Sequence, residues 1–360
     1  MAEGKLKTAV LGLDEQGKFL LGSAQRSGYF QIQAVADKNG EAANTAAREY
    51  GCTAYDDYRQ LITQNQFDCL LVAAGIHSCD EYLRMAMKKK INVLKLIPAG
   101  RNFEEAAQFV RLAETENVKF AIGTTGRFAE SFLTLQRFIK YQDLNKERKQ
   151  AETEDNSMNA WEPYLVTAYC ATTGENLDSW RMDPKLAGGG VLLYDCYEII
   201  DQIVINFGLP QKVYALTGNT TGDKQQRLYL TENMAVLTMK FTDALFVNLL
   251  ASNSFGPAKK ELCFYSNENI AVATNNELLI SGNCRQKDVK LNYNDDSEVR
   301  MKRLLENFAL AIQSPGNTKL LTSGKENLKT MAVIEAAYLS AKTGFPEEPV
   351  RILEMQKLGL

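Results

Sequence analysis

Tyr194 and Glu198 stand four residues apart, and Asp201 follows three further on. On one continuous helix that spacing puts all three on the same face. A tyrosine can give a proton to an alkoxide, and a buried glutamate of raised pKa can act as acid or base. The set reads either as proton-handling chemistry or as a plain hydrogen-bonded cluster inside a cleft. Lys95 is a further candidate. It lies two residues before Ile97, on the same face of an extended segment and roughly 6.6 Å back along it. It either reaches forward to a site or caps the sheet end and pairs with a carboxylate. His77 is the only histidine, which argues against a His-based metal site and a Ser-His-Asp triad. Seven cysteines without a C-x-x-C point to reduced thiols and no zinc site. Cys69 and Cys263 sit in apolar runs and read as core.

A second set concerns anion binding. Gly12-Leu13-Asp14-Glu15-Gln16-Gly17 follows an apolar run and precedes an amphipathic one. This is the context in which a G-x-G-x-x-G cradles a pyrophosphate. Asp14 replaces the middle glycine, whose role is to let backbone approach the phosphates. A carboxylate about 4 Å from a phosphate costs at most roughly 4 kcal/mol at an effective dielectric of about 20. The plain alternative is a strand–helix turn, with an acidic residue favoured by the helix dipole. Asp37 ends the next apolar run, where a carboxylate can hold an adenosine ribose and favour NAD over NADP. Lys38 beside it weakens that preference.

The elements that must position these residues follow from periodicity. Lys7–Leu11, Ile32–Ala36, Cys69–Ala74, Val93–Ile97 and Lys119–Ile122 read as buried strands. Helical patterns alternate with them at Phe19–Ala24, Glu41–Tyr50, Tyr58–Thr63, Cys79–Lys89 and Phe103–Asn117. That alternation predicts an α/β fold opening with a doubly wound parallel sheet. Residues 141–159 turn strongly polar and read as a helix end followed by a solvated loop. After Tyr164–Ala171 and a helix through Phe207 come closely spaced β-prone runs: Lys212–Leu216, Met234–Phe241, Leu245–Ser252, Glu261–Tyr265, Ile270–Ala273 and Glu277–Ser281. They predict a largely antiparallel open sheet. Two helices close the chain, with core faces Leu304, Leu305, Phe308, Ile312 and Met331, Ile334, Tyr338, Ala341.

The chain has 360 residues, 45% apolar and 24% charged, with a net charge of −3. Two domains are expected, divided as 1–126 and 127–360, with the final helix able to pack back on the first. The charge gives no general affinity for nucleic acid or anionic membrane. No apolar run is long enough to span a bilayer. The start, Met-Ala-Glu-Gly-Lys-Leu-Lys, leads into a strand without the pattern of a signal peptide, so a cytoplasmic location is expected.

Ser179-Trp180-Arg181-Met182-Asp183-Pro184, followed by Gly188-Gly189-Gly190, resembles the S-W-R-x-D-P-x-x-x-G-G-G entry to the catalytic helix of the glucose–fructose oxidoreductase, inositol dehydrogenase and MocA (Gfo/Idh/MocA) family. Arg127-Phe128 is similar to that family's R-F. The resemblance implies a Rossmann domain followed by an α+β domain, and NAD(P)-dependent oxidation of a sugar or polyol. It also implies a homo-oligomer built through the open C-terminal sheet. By resemblance, cofactor contacts would fall on Gly12, Leu13, Asp14, Gly17, Asp37, Ala74, Trp180 and Arg181.

Four segments depart from the family pattern. Asp14 stands in the glycine loop, and Ala74-Gly75-Ile76-His77 stands where T-P-N-x-x-H is usual. Leu96-Ile97-Pro98 stands in place of E-K-P. Tyr194 and Glu198 take the positions of the Asp-x-x-x-His pair, whereas Asp201 matches a later family aspartate. The expectation is a divergent member with a binding or regulatory role. The alternative is an oxidoreductase in which Tyr194, Glu198 and Lys95 replace the usual groups.

Overall fold

The computed structural model describes residues 4–148, 162–173, 179–220, 230–254, 257–267, 269–282 and 288–355. The chain divides into two compact units. One comprises Met1–Thr125, Lys185–Gly188 and Ser297–Met331. The other comprises Gly126–Pro184, Gly189–Asp296 and Ala332–Leu360.

The first unit alternates strand and helix: β1 Leu6–Leu11, α1 Glu15–Ser27, β2 Phe30–Ala36, α2 Gly40–Tyr50, β3 Thr53–Tyr55, α3 Tyr58–Gln64, β4 Cys69–Val72, α4 Ile76–Lys88, β5 Asn92–Lys95, α5 Phe103–Thr115 and β6 Phe120–Ile122. Its sheet has the order β3-β2-β1-β4-β5-β6, with every pair parallel. The strands are short and unbroken in hydrophobicity because both faces are covered: β4 is buried at all four positions. The strand β3 carries no apolar run of its own, which is why periodicity misses it. His77 lies exposed in the first turn of α4.

The second unit holds α6 Glu130–Arg148, β7 Leu165–Ala171, a short 3-10 turn Ser179–Met182, and α8 Val191–Tyr194 with α9 Tyr197–Phe207. The four-residue α7, Pro184–Ala187, lies at the division between the units. Next come β8 Lys212–Gly218, β9 Met234–Lys240, β10 Phe246–Ser252, β11 Lys259–Tyr265, β12 Asn269–Ala273, β13 Glu277–Gly282 and β14 Val289–Asn292. The sheet order is β14-β13-β12-β11-β7-β10-β9-β8. All pairs are antiparallel except β7–β10, which is parallel. The helix end expected within residues 141–159 falls at Arg148; residues 149–161 lie outside the described residues.

Alternation along these strands sorts side chains to two faces. Val213, Ala215, Leu237, Met239, Val247, Leu249, Leu262 and Phe264 point inward and are buried. Cys263, expected in the core, falls between Leu262 and Phe264, so it lies on the other face and is only partly covered. Of the closing helices, α10 Ser297–Gln313 buries Leu304, Leu305 and Phe308 as expected, while Ile312 stays partly exposed. The last long helix, α11 Gly324–Thr343, runs across the division at Met331/Ala332. A final α12, Pro349–Met355, was not expected from periodicity. Among the described residues no helix is long and apolar enough to cross a membrane.

Candidate functional site

The β1–α1 turn is built by its two glycines. Gly12 has φ +86°, and a Cβ there would stand 2.3 Å from the Ala74 nitrogen. A Cβ on Gly17 would stand 2.0 Å from the Gly12 carbonyl oxygen. Both positions therefore need glycine: one for the left-handed turn against β4, one for close helix–strand packing. Between them Asp14 caps α1, its Oδ1 accepting from the Gly17 amide at 2.8 Å, with the residue exposed to solvent. Asp37 ties the far side of the turn. Its Oδ2 accepts from Leu13 N at 2.6 Å and its Oδ1 from Asn39 N at 2.8 Å.

These residues fit a dinucleotide only in part. Asp37 keeps lone pairs that could accept from a ribose. The amide a pyrophosphate oxygen would seek at the α1 N-terminus already serves Asp14, whose charge has the same sign as the ligand's. In this seat Asp14 takes one of the amides at the head of α1.

Lys95 ends β5 and is 2% exposed. Its Nζ donates to the carbonyls of Leu96 at 2.9 Å and Pro98 at 2.5 Å. The ammonium therefore braces the turn after β5. Burial lowers its pKa and pushes the nearby Cys79 thiol up to about 11.

The triple glycine is three separate constraints. A Cβ on Gly188, at φ +84°, would meet the Arg101 carbonyl oxygen at 2.2 Å. On Gly189 it would meet the Tyr338 hydroxyl at 2.1 Å, and on Gly190 the Glu232 carbonyl oxygen at 1.9 Å. Glu232 then caps α8: its carboxylate accepts from Gly190 N at 2.8 Å, from Leu192 N at 3.1 Å and from the Tyr338 hydroxyl at 2.7 Å. Burial raises the Glu232 pKa, against the pull of these donors. Burial and the Glu232 charge raise that of Tyr338. No motif flags Glu232, because its role depends on β9 bringing a strand-end residue to a distant helix start.

The helix after the glycines is not continuous, which corrects the expectation of one shared face. It stops at Tyr194 and restarts at Tyr197. Between them Cys196 N donates to Val191 O at 3.0 Å, a five-residue step that admits one extra residue. The phase from Tyr194 to Glu198 is thereby lost. Glu198 and Asp201 do share α9, with different duties. Asp201 forms a buried two-pronged pair with Arg127, Nε to Oδ2 and Nη2 to Oδ1, both 2.7 Å. Glu198 accepts from Gly126 N at 2.9 Å, while Gln202 donates to Gly126 O at 2.9 Å. No motif in the sequence flags Gln202, whose only signal is its i, i+4 spacing from Glu198. Beside it a small pocket is lined by Ser131, Glu198, Gln202, Lys260, Thr274 and Asn275, among others.

Tyr194 faces another set. The Arg181 guanidinium lies 4.4 Å over its ring, and Trp180 meets it edge-on at 5.9 Å. Cys196 and Tyr197 are fully buried packing residues. No cluster of three or more His, Cys, Asp or Glu able to hold a metal occurs among the described residues.

A parallel six-stranded sheet with a glycine turn after its first strand is a Rossmann-type architecture, and the second unit adds a mostly antiparallel eight-stranded sheet. Residues 6–124 match the model of the Gfo/Idh/MocA oxidoreductase family, described as an NAD-binding Rossmann fold. Over that segment the chain is similar to the NAD-binding domain of the family. It is 24% identical to D-xylose 1-dehydrogenase (NADP(+)) 2 of Haloferax volcanii, covering 96% of this chain and 98% of that one. Its fold is similar to a putative NADPH-dependent oxidoreductase from Desulfitobacterium hafniense, with TM-score 0.82, 15% identity, and 98% and 99% of the two chains covered. It is also similar to the WlbA dehydrogenase from Bordetella pertussis in complex with NADH and UDP-GlcNAcA, with TM-score 0.73, 17% identity and 96% and 99% coverage.

Proposed function

We propose that this chain uses the oxidoreductase scaffold to hold a small sugar-like ligand in a binding or regulatory role, without the family's hydride transfer. The observation that carries this reading is the seat of Asp14, whose carboxylate takes the Gly17 amide at the head of α1. Three further placements support it. Lys95 is spent on two carbonyls, Glu198 holds the Gly126 amide, and Ile97 stands where the family's lysine would approach the reacting carbon. Titration with NADH and NADPH tests it. Wild type is expected to bind neither at millimolar concentration, while Asp14→Gly gains measurable affinity. Micromolar binding by wild type overturns the proposal.

A second reading is an NAD(P)-dependent oxidoreductase acting on a sugar or polyol, with Tyr194 and Glu198 in place of the usual pair. The intact geometry at Gly12 and Gly17 and the ribose-compatible Asp37 favour it. So does similarity along nearly the whole chain to a xylose dehydrogenase. Cofactor binding by wild type, followed by sugar-dependent absorbance change at the nicotinamide band, would select this reading.

We also propose a homo-oligomer through the open face of the second sheet. Leu216, Val236, Leu250 and Tyr169 stand in register across β8, β9, β10 and β7 on that face. The first three are exposed, and a continuous apolar row suits a second copy of itself.

A further inference from the structure

Two buried thiols meet at the α8–α9 break, both within the second unit. Cys170 lies in β7, and its Sγ donates to the Asp195 carbonyl oxygen at 3.3 Å. That carbonyl belongs to the peptide bond leading into Cys196. The Cys196 thiol in turn donates to the Cys170 sulfur. Lys260 stands directly across from Cys170 in the β7–β11 register, and cross-strand partners share a face of the sheet. The same lysine lines the small pocket beside Glu198 and Ile199.

The two thiols are unequal. Cys170 alone among the described cysteines is held below the ordinary thiol range. The Cys196 hydrogen bond lowers it, burial opposes, and the Lys260 ammonium adds to the lowering. Burial pushes Cys196 well up, and it pushes Cys69 up to about 12 and Cys79 up to about 11. Cys52 and Cys263 are raised by burial as well. The thiolate is the nucleophilic form of cysteine, so Cys170 is the attacking sulfur and Cys196 the one that resolves.

We propose that Cys170 and Cys196 are a modification site, joined into a reversible disulfide by hydrogen peroxide and opened again by a small dithiol. The Cys170 sulfur attacks one peroxide oxygen. An S–O bond forms, the O–O bond breaks, and the departing hydroxide takes up the proton that Cys170 released. The Cys196 sulfur then attacks the Cys170 sulfur. The S–S bond forms, the S–O bond breaks, and the departing hydroxide takes the Cys196 proton. Two thiols are oxidised, and one peroxide is reduced to two waters. Burial of both sulfurs selects an oxidant little larger than water, arriving past Lys260. The bond ties β7 to the junction that carries Tyr194 and Glu198, each two residues from Cys196. It forms with or without a dinucleotide, so it is independent of both functional readings.

Peptide mapping tests the proposal. Trypsin cuts after Arg181 and Lys185, so the two cysteines fall on different peptides. Reduced full-length protein is treated with hydrogen peroxide, unfolded with iodoacetamide present, and digested without reductant. Mass spectrometry should find the Cys170 and Cys196 peptides joined, and dithiothreitol before unfolding should separate them. In Cys196→Ser, dimedone should label Cys170 as a sulfenic acid, whereas in Cys170→Ser it should leave Cys196 unlabelled. Lys260→Met should slow formation of the joined peptide by about threefold or more, because the thiolate loses its cation. Free thiols at both positions after Cys52 and Cys263 have been oxidised would overturn the proposal. So would joining that appears only when peroxide is added to urea-unfolded protein, or dimedone labelling of Cys196 in place of Cys170. An unchanged rate in Lys260→Met would overturn the role given to the lysine.

Discussion

Glu232 shows how one carboxylate can organise a turn. It answers two amides at the start of α8 and one tyrosine hydroxyl from α11. Glu232→Ala leaves those donors unanswered and should cost about 2–4 kcal/mol in urea unfolding. Glu232→Gln keeps an acceptor and should cost less. The two also differ in pH dependence. Burial holds the folded-state pKa above the ordinary value of 4.5, so this group's stabilising contribution is complete below that value. It declines as pH rises through the folded-state pKa. Unfolding free energies at pH 5 and pH 8 should therefore fall more steeply with pH in wild type than in Glu232→Gln; parallel slopes would refute the assignment. The buried Arg127–Asp201 pair is a second structural device. Asp201→Ala strands a buried guanidinium and should lower stability by about 3–5 kcal/mol, read from the same urea transitions.

At the scale of the element, the break between α8 and α9 is the main departure from what the sequence predicts. The spacing of Tyr194, Glu198 and Asp201 looks like one helical face because spacing cannot register an inserted residue. The Cys196-to-Val191 hydrogen bond that absorbs it is visible only in three dimensions. The parallel strands were legible because burial on both faces leaves unbroken apolar runs, as in Cys69–Val72. The edge strands β3 and β14 were not, since their residues are largely exposed or half-covered. The site was legible where glycine is compulsory, at Gly12, Gly17 and Gly188–Gly190. It was illegible where partners come from afar, as with Glu232 and Tyr338. The glycine turn makes its own prediction: Gly190→Ala sets a methyl 1.9 Å from a backbone oxygen, so the strand end or α8 must shift. A loss of about 1–3 kcal/mol follows, and an unchanged melting midpoint would contradict it.

For the molecule as a whole, the proposed self-association rests on the open sheet face. Leu250 lies at the centre of its apolar row, paired with Val236 on one side and Tyr169 on the other. Leu250→Glu on both copies of a symmetric interface brings like charges together, so light scattering should show the variant as a monomer while wild type runs as an oligomer. Wild-type monomer at micromolar concentration would rule the interface out. The triple glycine has a consequence for how such chains are grouped. Each of Gly188, Gly189 and Gly190 is held by a different neighbour, and all three neighbours belong to the scaffold. Selection for a stable turn alone is thus enough to preserve the signature, whatever happens to the reaction. A homology search weighted on those positions gathers chains by ancestry and leaves their chemistry open. The departures at positions 14, 97, 194 and 198 lie outside what that turn constrains.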